Sequence, residues 1–122
     1  MAKSISDTLL DAMLTLAEGD QVSVCSAQPT TYTEAITTFK LAIKTALSGQ
    51  YTKANGDTSG RKSTLAAQLA VDIDTSGTAT HVAVTNLGDT SLRRVTTCAS
   101  QALVDTGTVD IGAHKHELND PT

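Results

Sequence analysis

The sequence predicts a mainly β protein: a single antiparallel β-sandwich, jelly-roll-like, preceded by an N-terminal α-helix. From residue 20 onward, short runs of alternating apolar and polar residues are separated by turn signals, roughly every ten residues. Of the 122 residues, 21 are threonine, whose β-branched side chain suits a pleated, half-exposed surface. Helical periodicity precedes these runs. We therefore expect a helix over residues 1–19 and a sandwich over residues 20–122, folding as one unit.

The helix is predicted by the apolar spacing between Ile5 and Ala17, with Ser4 or Ser6 as its N-cap and Gly19 just past its end. Because a lone helix of this length is marginal in water, its apolar face must pack against the domain or a partner. That predicted face consists of residues at helical intervals, namely Ile5, Leu9, Met13 and Leu16, widened by Leu10, Leu14 and Ala17.

The first half of the sandwich is predicted to contain two strands. Alternation at Val22–Ser26 indicates a strand that Pro29 ends, and a second strand is expected over Lys40–Leu47. The stretch Thr30–Phe39 between them fits either one helical turn or an ordered loop. Gly49–Gly60, with its Asn-Gly turn signal, is predicted to be a loop.

The second half is predicted to be strands joined by short turns. Glycine-containing turns are expected at residues 76–77, 86–89 and 105–107, and the chain is expected to end in an acidic, proline-containing tail. The predicted strands are Arg61–Ala67, Leu69–Asp74, Thr78–Thr85, Leu92–Ala99 and Val109–Ala113.

Charge and hydropathy exclude some classes of protein. The net charge of -4 argues against nucleic-acid binding through a basic surface. No apolar run approaches the ~20 residues that span a membrane. Asp7, Asp11 and Glu18 interrupt the N-terminal apolar run, so we interpret it as mature sequence rather than a signal peptide. We expect a protein made in a cytoplasm, with no membrane or nucleic-acid partner.

The two cysteines, Cys25 and Cys98, lie in strand-like apolar contexts. A cytoplasmic origin argues against a disulfide between them. We expect both to be small buried side chains rather than nucleophiles, since no motif supplies a neighbouring base.

The chain has three histidines that could serve as chemical sites. His114 and His116 share one face of a strand, and Asp110 has the same parity, which makes a weak candidate zinc or nickel set. A polar, solvated strand face is the favoured interpretation. His81 is expected to be structural.

No enzyme motif is present in the sequence. No serine sits in a G-x-S-x-G context, and the NGDTSGRK stretch at residues 55–62 lacks the glycine spacing of a phosphate-binding loop. We therefore expect no catalytic residues and no cofactor.

Several residues are candidates for contacts with a partner. Arg93 and Arg94 are adjacent and so should point to opposite faces of a strand, where one could meet a carboxylate across an interface. Alternatively, they guard a strand edge against aggregation. The other interface candidates are Leu9 and Met13 on the helix and the aromatic residues Tyr32 and Phe39, although the aromatics are first expected inside.

Four stretches of the chain resemble a family of small virion structural proteins of tailed bacteriophages. They are VSVCSAQPTTYTEAITTFKLA (22–42), GRKSTLAA (60–67), SGTATHVAVTN (76–86) and ASQALVDTGTVDI (99–111), followed by HELNDP. The resemblance covers nearly the whole chain after the helix. One departure is Val82, where relatives tend to carry an aromatic residue after the histidine.

The resemblance implies a virion component made in the host cytoplasm. Our first hypothesis is a capsid decoration (cement) protein that binds the assembled head shell, with the major capsid protein and its own copies, as a trimer or ring, as partners. The alternative is a neck, collar or tail fibre-base protein of low copy number. A third hypothesis, a small host-glycan-binding module, requires an exposed aromatic platform, and the chain has only three aromatic residues.

Overall fold

The computed structural model describes residues 6–47 and 49–119. The chain begins with a helix, α1 (Asp7–Ala17), and a short π-helical turn (Glu34–Thr38) separates the first two strands. The strands found among these residues are, in chain order, β1 (Gln21–Cys25), β2 (Lys40–Lys44), β3 (Tyr51–Asn55), β4 (Arg61–Leu65), β5 (Gln68–Asp72), β6 (Gly77–Asn86), β7 (Ser91–Leu103), β8 (Thr108–Ile111) and β9 (His114–Leu118).

The strands form three antiparallel sheets, so the prediction of a mainly β fold with an N-terminal helix is confirmed. The largest sheet has the order β2-β1-β6-β7, the second β3-β4-β9, and the third pairs β5 with β8. An isolated bridge between Ala42 and Ile73 connects the β2 edge to the segment after β5. No helix in the described parts of the chain is long and apolar enough to cross a membrane.

Helix α1 begins where the sequence indicates. The Ser6 side chain accepts a hydrogen bond from the Leu9 amide at 3.2 Å, which makes Ser6 the N-cap. The helix ends before Gly19, which is buried so closely that a Cβ there would collide with the Thr85 carbonyl oxygen. The three-residue link from α1 to β1 is therefore held against β6.

The apolar core has two parts, one on each side of the sheet β2-β1-β6-β7. Alternate residues of β6 illustrate this, because Val82 and Val84 belong to the main core while Ala83 belongs to a smaller cluster with Cys25 and Ala35. All five residues of β1 are buried as a result. The main core also takes in buried residues of the other sheets, including Leu65, Val71, Val109 and Ile111.

Two predictions about the strands were wrong. The predicted loop at residues 49–60 contains strand β3, which pairs with β4 around the Asn-Gly turn. The expected tail after Ala113 contains strand β9, which pairs with β4 on its other side. In both strands the side chains facing inward are largely polar, so hydrophobic alternation gave no signal.

Candidate functional site

The predicted apolar face of α1 is buried only along one side, and its other side is exposed; Ile5, which was part of that face, lies outside the described residues. Leu10 and Leu14 are fully buried, on the helix side that faces β4, β9 and β7. Leu9, Met13 and Leu16 are instead 52%, 44% and 65% exposed. The helix thus carries two apolar stripes, and among residues 6–47 and 49–119 only one of them is covered.

Charged contacts fix this orientation of the helix. Arg61 of β4 makes two bonds to Asp11, from Nε to Oδ1 at 2.9 Å and from Nη2 to Oδ2 at 3.3 Å. Just after the helix, the Glu18 Oε2 atom accepts a hydrogen bond from Ser63 Oγ at 2.7 Å and lies 2.9 Å from Lys53 Nζ. Paired carboxylates in the middle of α1 and just after its last residue therefore hold it on the sheet β3-β4-β9.

The uncovered stripe has the spacing of a helix–helix seam. Steps of four and then three residues separate Leu9, Met13 and Leu16, as at the core positions of paired helices. Ala12 beside them is small and exposed, which allows close approach of a partner. We call the surface formed by Leu9, Met13 and Leu16 the outer helix stripe.

The two aromatic interface candidates lie against the protein rather than projecting from it. Tyr32 is half-buried and its hydroxyl donates to Gln21 Oε1 at 3.4 Å. Phe39 is half-buried against the smaller core cluster. The third aromatic, Tyr51, packs on the main core and accepts a hydrogen bond from the Gly19 amide at 3.2 Å. None of the three forms a flat exposed platform.

The two arginines of β7 have different surroundings. Arg93 lies in a register shift of the β6–β7 pairing and forms an ion pair with Asp89, with 2.8 Å between Nη2 and Oδ2. Arg94 lies opposite Val84 of β6, whose side chain is in the main core, so Arg94 faces inward. Its Nε atom is buried and finds no hydrogen-bond partner among residues 6–47 and 49–119.

The three members of the weak metal set are not brought together by the fold. His114 and His116 lie opposite Leu65 and Ser63 of β4, both buried, so the two imidazoles face inward. Asp110 instead accepts a hydrogen bond from the Ala70 amide at 2.9 Å. Within the described chain, no group of three His, Cys, Asp or Glu side chains is arranged to hold a metal ion.

A cleft of about 300 Å³ opens between β7 and β8. Cys98 and His114 contribute to its wall. Burial raises the pKa of the Cys98 thiol, which keeps it protonated near neutral pH and makes it a poor nucleophile. The rest of the lining is mostly apolar or small and includes Val24, Ala79, Val82, Val109 and Ile111.

Of the two cysteines expected to be buried, Cys25 is buried and Cys98 is only partly buried. Both thiols are free, Cys25 in the smaller cluster and Cys98 against the main core. The His81 ring nitrogen Nδ1 lies 2.8 Å from the hydroxyl of Thr80, a local hydrogen bond at the bend of β6.

Sequence reasoning missed the inward polar residues of the sheet β3-β4-β9. Lys53, Ser63 and His116 lie in one row across its three strands, and Tyr51, Leu65 and His114 form the next row. The alternation of the polar residues in KSTL and HKHEL was the only available signal, and it also fits a solvated strand.

A comparison with protein-family models found no match, and neither did comparisons with curated proteins and with solved structures.

Proposed function

We propose that this protein is a structural component of a tailed-bacteriophage virion, a jelly-roll-like β-sandwich that decorates the assembled head shell. The outer helix stripe is the observation that carries the proposal. Three large apolar side chains stand exposed on a helix whose other side is fixed to the domain. A rigidly held apolar stripe suits a helix-in-groove contact with a coat subunit. The sequence resemblance supports the same class of protein.

The energetics of this stripe fit a component present in many copies. Burying what remains exposed of Leu9, Met13 and Leu16 stabilises a contact by about 2–5 kcal/mol. Ordering and association oppose that gain, so a single stripe binds weakly. Copies that also contact one another or two coat subunits at once bind the shell far more tightly, because the second contact becomes intramolecular.

The test is the occupancy of purified particles by two matched variants. Leu9→Glu places a charge on the outer helix stripe, and Leu87→Glu places the same charge on the β6–β7 turn, where the leucine is 56% exposed. We expect Leu9→Glu to reduce the protein's occupancy on head shells at least about tenfold, since a buried unpaired charge is costly, whereas Leu87→Glu should bind like the wild type. Circular dichroism checks that both variants fold.

Copy number separates this proposal from the alternative of a neck, collar or tail component. A decoration protein should be present at a copy number comparable to that of the coat subunits, as gel densitometry measures. A closed ring in the neck or tail would instead give about a dozen copies or fewer, and that result, or full occupancy by Leu9→Glu, would exclude the decoration role. The glycan-binding hypothesis lacks support, because none of the three aromatic residues forms an exposed platform.

A further inference from the structure

An inward-facing group of basic side chains lies beneath the last described strand. His114 and His116 of β9 face inward beside Leu65 and Ser63. Arg94 of β7 faces the main core from another sheet, and its charge acts on both imidazoles. The titratable groups on the elements near β9 are Arg94 of β7, Tyr51 and Lys53 of β3, Arg61 of β4, Asp11 within α1, Glu18 just after α1, and Cys98 and Asp110 at the cleft.

The carboxylates in this group are already engaged. Glu18 pairs with Lys53 and accepts from Ser63, and Asp11 pairs with Arg61. Asp110 accepts a backbone hydrogen bond from Ala70. Arg94 is not within ion-pair distance of any carboxylate in the described residues, although the charge of Glu18 acts on it from farther away. Additional positive charge beside Arg94 would therefore meet repulsion.

The hydrogen bonds of His114 fit the neutral form. Its Nδ1 atom lies 3.3 Å from the Gly112 carbonyl oxygen, which can only accept, so Nδ1 carries the proton. Its Nε2 atom is then a buried lone pair, with no hydrogen-bond partner among the residues described. A proton added at Nε2 would be a buried N–H donor without an acceptor among the residues described.

We propose that β9 is an acid-labile strand: when the inward-facing His114 and His116 become protonated, β9 separates from β4 while the sheet β2-β1-β6-β7 stays folded. β9 suits this behaviour because, among the described strands, it lies at the edge of its sheet and pairs with β4 alone. The two imidazoles would become hydrated on release, which removes the repulsion.

The pKa shifts agree with this direction. Burial, and then the charge of Arg94, lower the pKa of both His114 and His116; for His114, the hydrogen bond to Gly112 partly opposes this. The closed state thus binds fewer protons than the open state. The stability of β9 is fully present above the pKa of a free histidine, about 6.5, and is lost as the pH falls through the lower values of the closed state.

Opening of β9 would also reach the β3–β4 turn. The Glu117 carboxylate accepts a hydrogen bond from the Asp57 amide at 2.8 Å, and Lys115 forms an ion pair with Asp57. Both contacts depend on β9 being in place, so an acid step should free this turn together with the strand.

NMR of the full-length protein between pH 8 and 4.5 tests the proposal. We expect the ring signals of His114 and His116 to titrate below about 6.5. Hydrogen exchange, corrected for its intrinsic pH dependence, should show the open population of β9 rising about tenfold per pH unit for each histidine that takes up a proton. Amides of β1 and β6 should stay protected over the same range. The proposal would be overturned if both rings titrated with the pKa of a free histidine, about 6.5. It would also be overturned if the β9 amides remained protected after both rings were charged.

A double histidine variant provides a second test of the proposal. His114→Gln/His116→Gln should abolish the acid step in β9, and His81→Gln, which removes the histidine outside the group, should keep it. An unchanged acid step in the double variant would contradict the proposal. If the double variant does not fold, the wild-type titration decides alone.

Discussion

At the residue scale, two glycines with positive φ differ in how closely other backbone atoms approach them. Gly60 adopts a positive φ of 69° where the β3–β4 hairpin returns, and the Leu118 carbonyl oxygen of β9 occupies the place where a Cβ would lie. Gly49 has a similar φ of 80°, but no atom lies within 4 Å of its Cβ position. A side chain at Gly49 would meet backbone strain alone, whereas a side chain at Gly60 would meet both strain and a steric collision.

Alanine substitutions at these glycines should therefore differ in effect. We expect Gly49→Ala to lower the free energy of unfolding by about 1 kcal/mol, the cost of a left-handed conformation. Gly60→Ala should lower it by about 3 kcal/mol or more, because the collision adds to the strain. Urea unfolding followed by circular dichroism measures both, and equal effects would show that β9 moves away without cost.

At the element scale, α1 shows how a helix with two apolar stripes can mislead sequence analysis. Its stripes lie side by side, and helical periodicity alone does not say which of them is covered. The covered stripe is the one that Asp11 and Glu18 position by pairing with Arg61 and Lys53 on β4 and β3. These pairs join residues far apart in sequence, so their effect was not visible in the helix itself.

Two leucines of α1 provide a direct comparison. Leu14→Ala removes a fully buried side chain and should lower the free energy of unfolding by about 2–5 kcal/mol. Leu16→Ala changes a residue that is 65% exposed and should alter stability by less than about 0.5 kcal/mol. Thermal unfolding measures both changes, and the opposite ranking would mean that the helix is rotated from the described orientation.

The strands that the sequence predicted are those with aliphatic residues at alternate positions, on the face toward the main core. Strands β1, β2 and β6 alternate clearly because they border the main core, and the prediction of each is confirmed within a few residues. Strands β3 and β9 were not predicted, because their inward faces carry Lys53, His114 and His116 rather than aliphatic residues. The group of basic side chains beneath β9 could not be predicted either, because Arg94 belongs to another sheet and is distant in sequence from His114 and His116.

At the scale of the whole molecule, the sheet β2-β1-β6-β7 divides the interior into two separate cores. Cys25 belongs to the smaller cluster and is fully buried, whereas Cys98 lies against the main core at the wall of the cleft. The fold thus keeps its two thiols in different environments on different sides of one sheet.

Thiol labelling reports on this division. At pH 8 we expect an aromatic disulfide reagent to modify one thiol per native chain, Cys98, more slowly than a free cysteine because burial raises its pKa. Cys25, whose pKa is raised chiefly by burial, should react only when the chain unfolds in denaturant. Cys98→Ser should leave no reactive thiol in the native protein, and rapid reaction of two thiols would contradict the described burial.

The irregular pairing of β7 affects whether neighbouring copies of the protein can pair their strands with its outer edge. Between the pairs His81–Thr97 and Ala79–Gln101, β7 contains two more residues than β6. This bulge interrupts the regular spacing of amides and carbonyls along an outer edge of the largest sheet. A straight strand from another molecule cannot match that spacing over its length, and Arg93 places a charge farther along the same strand. Copies held side by side at high density would therefore resist templating one another into amyloid-like fibrils.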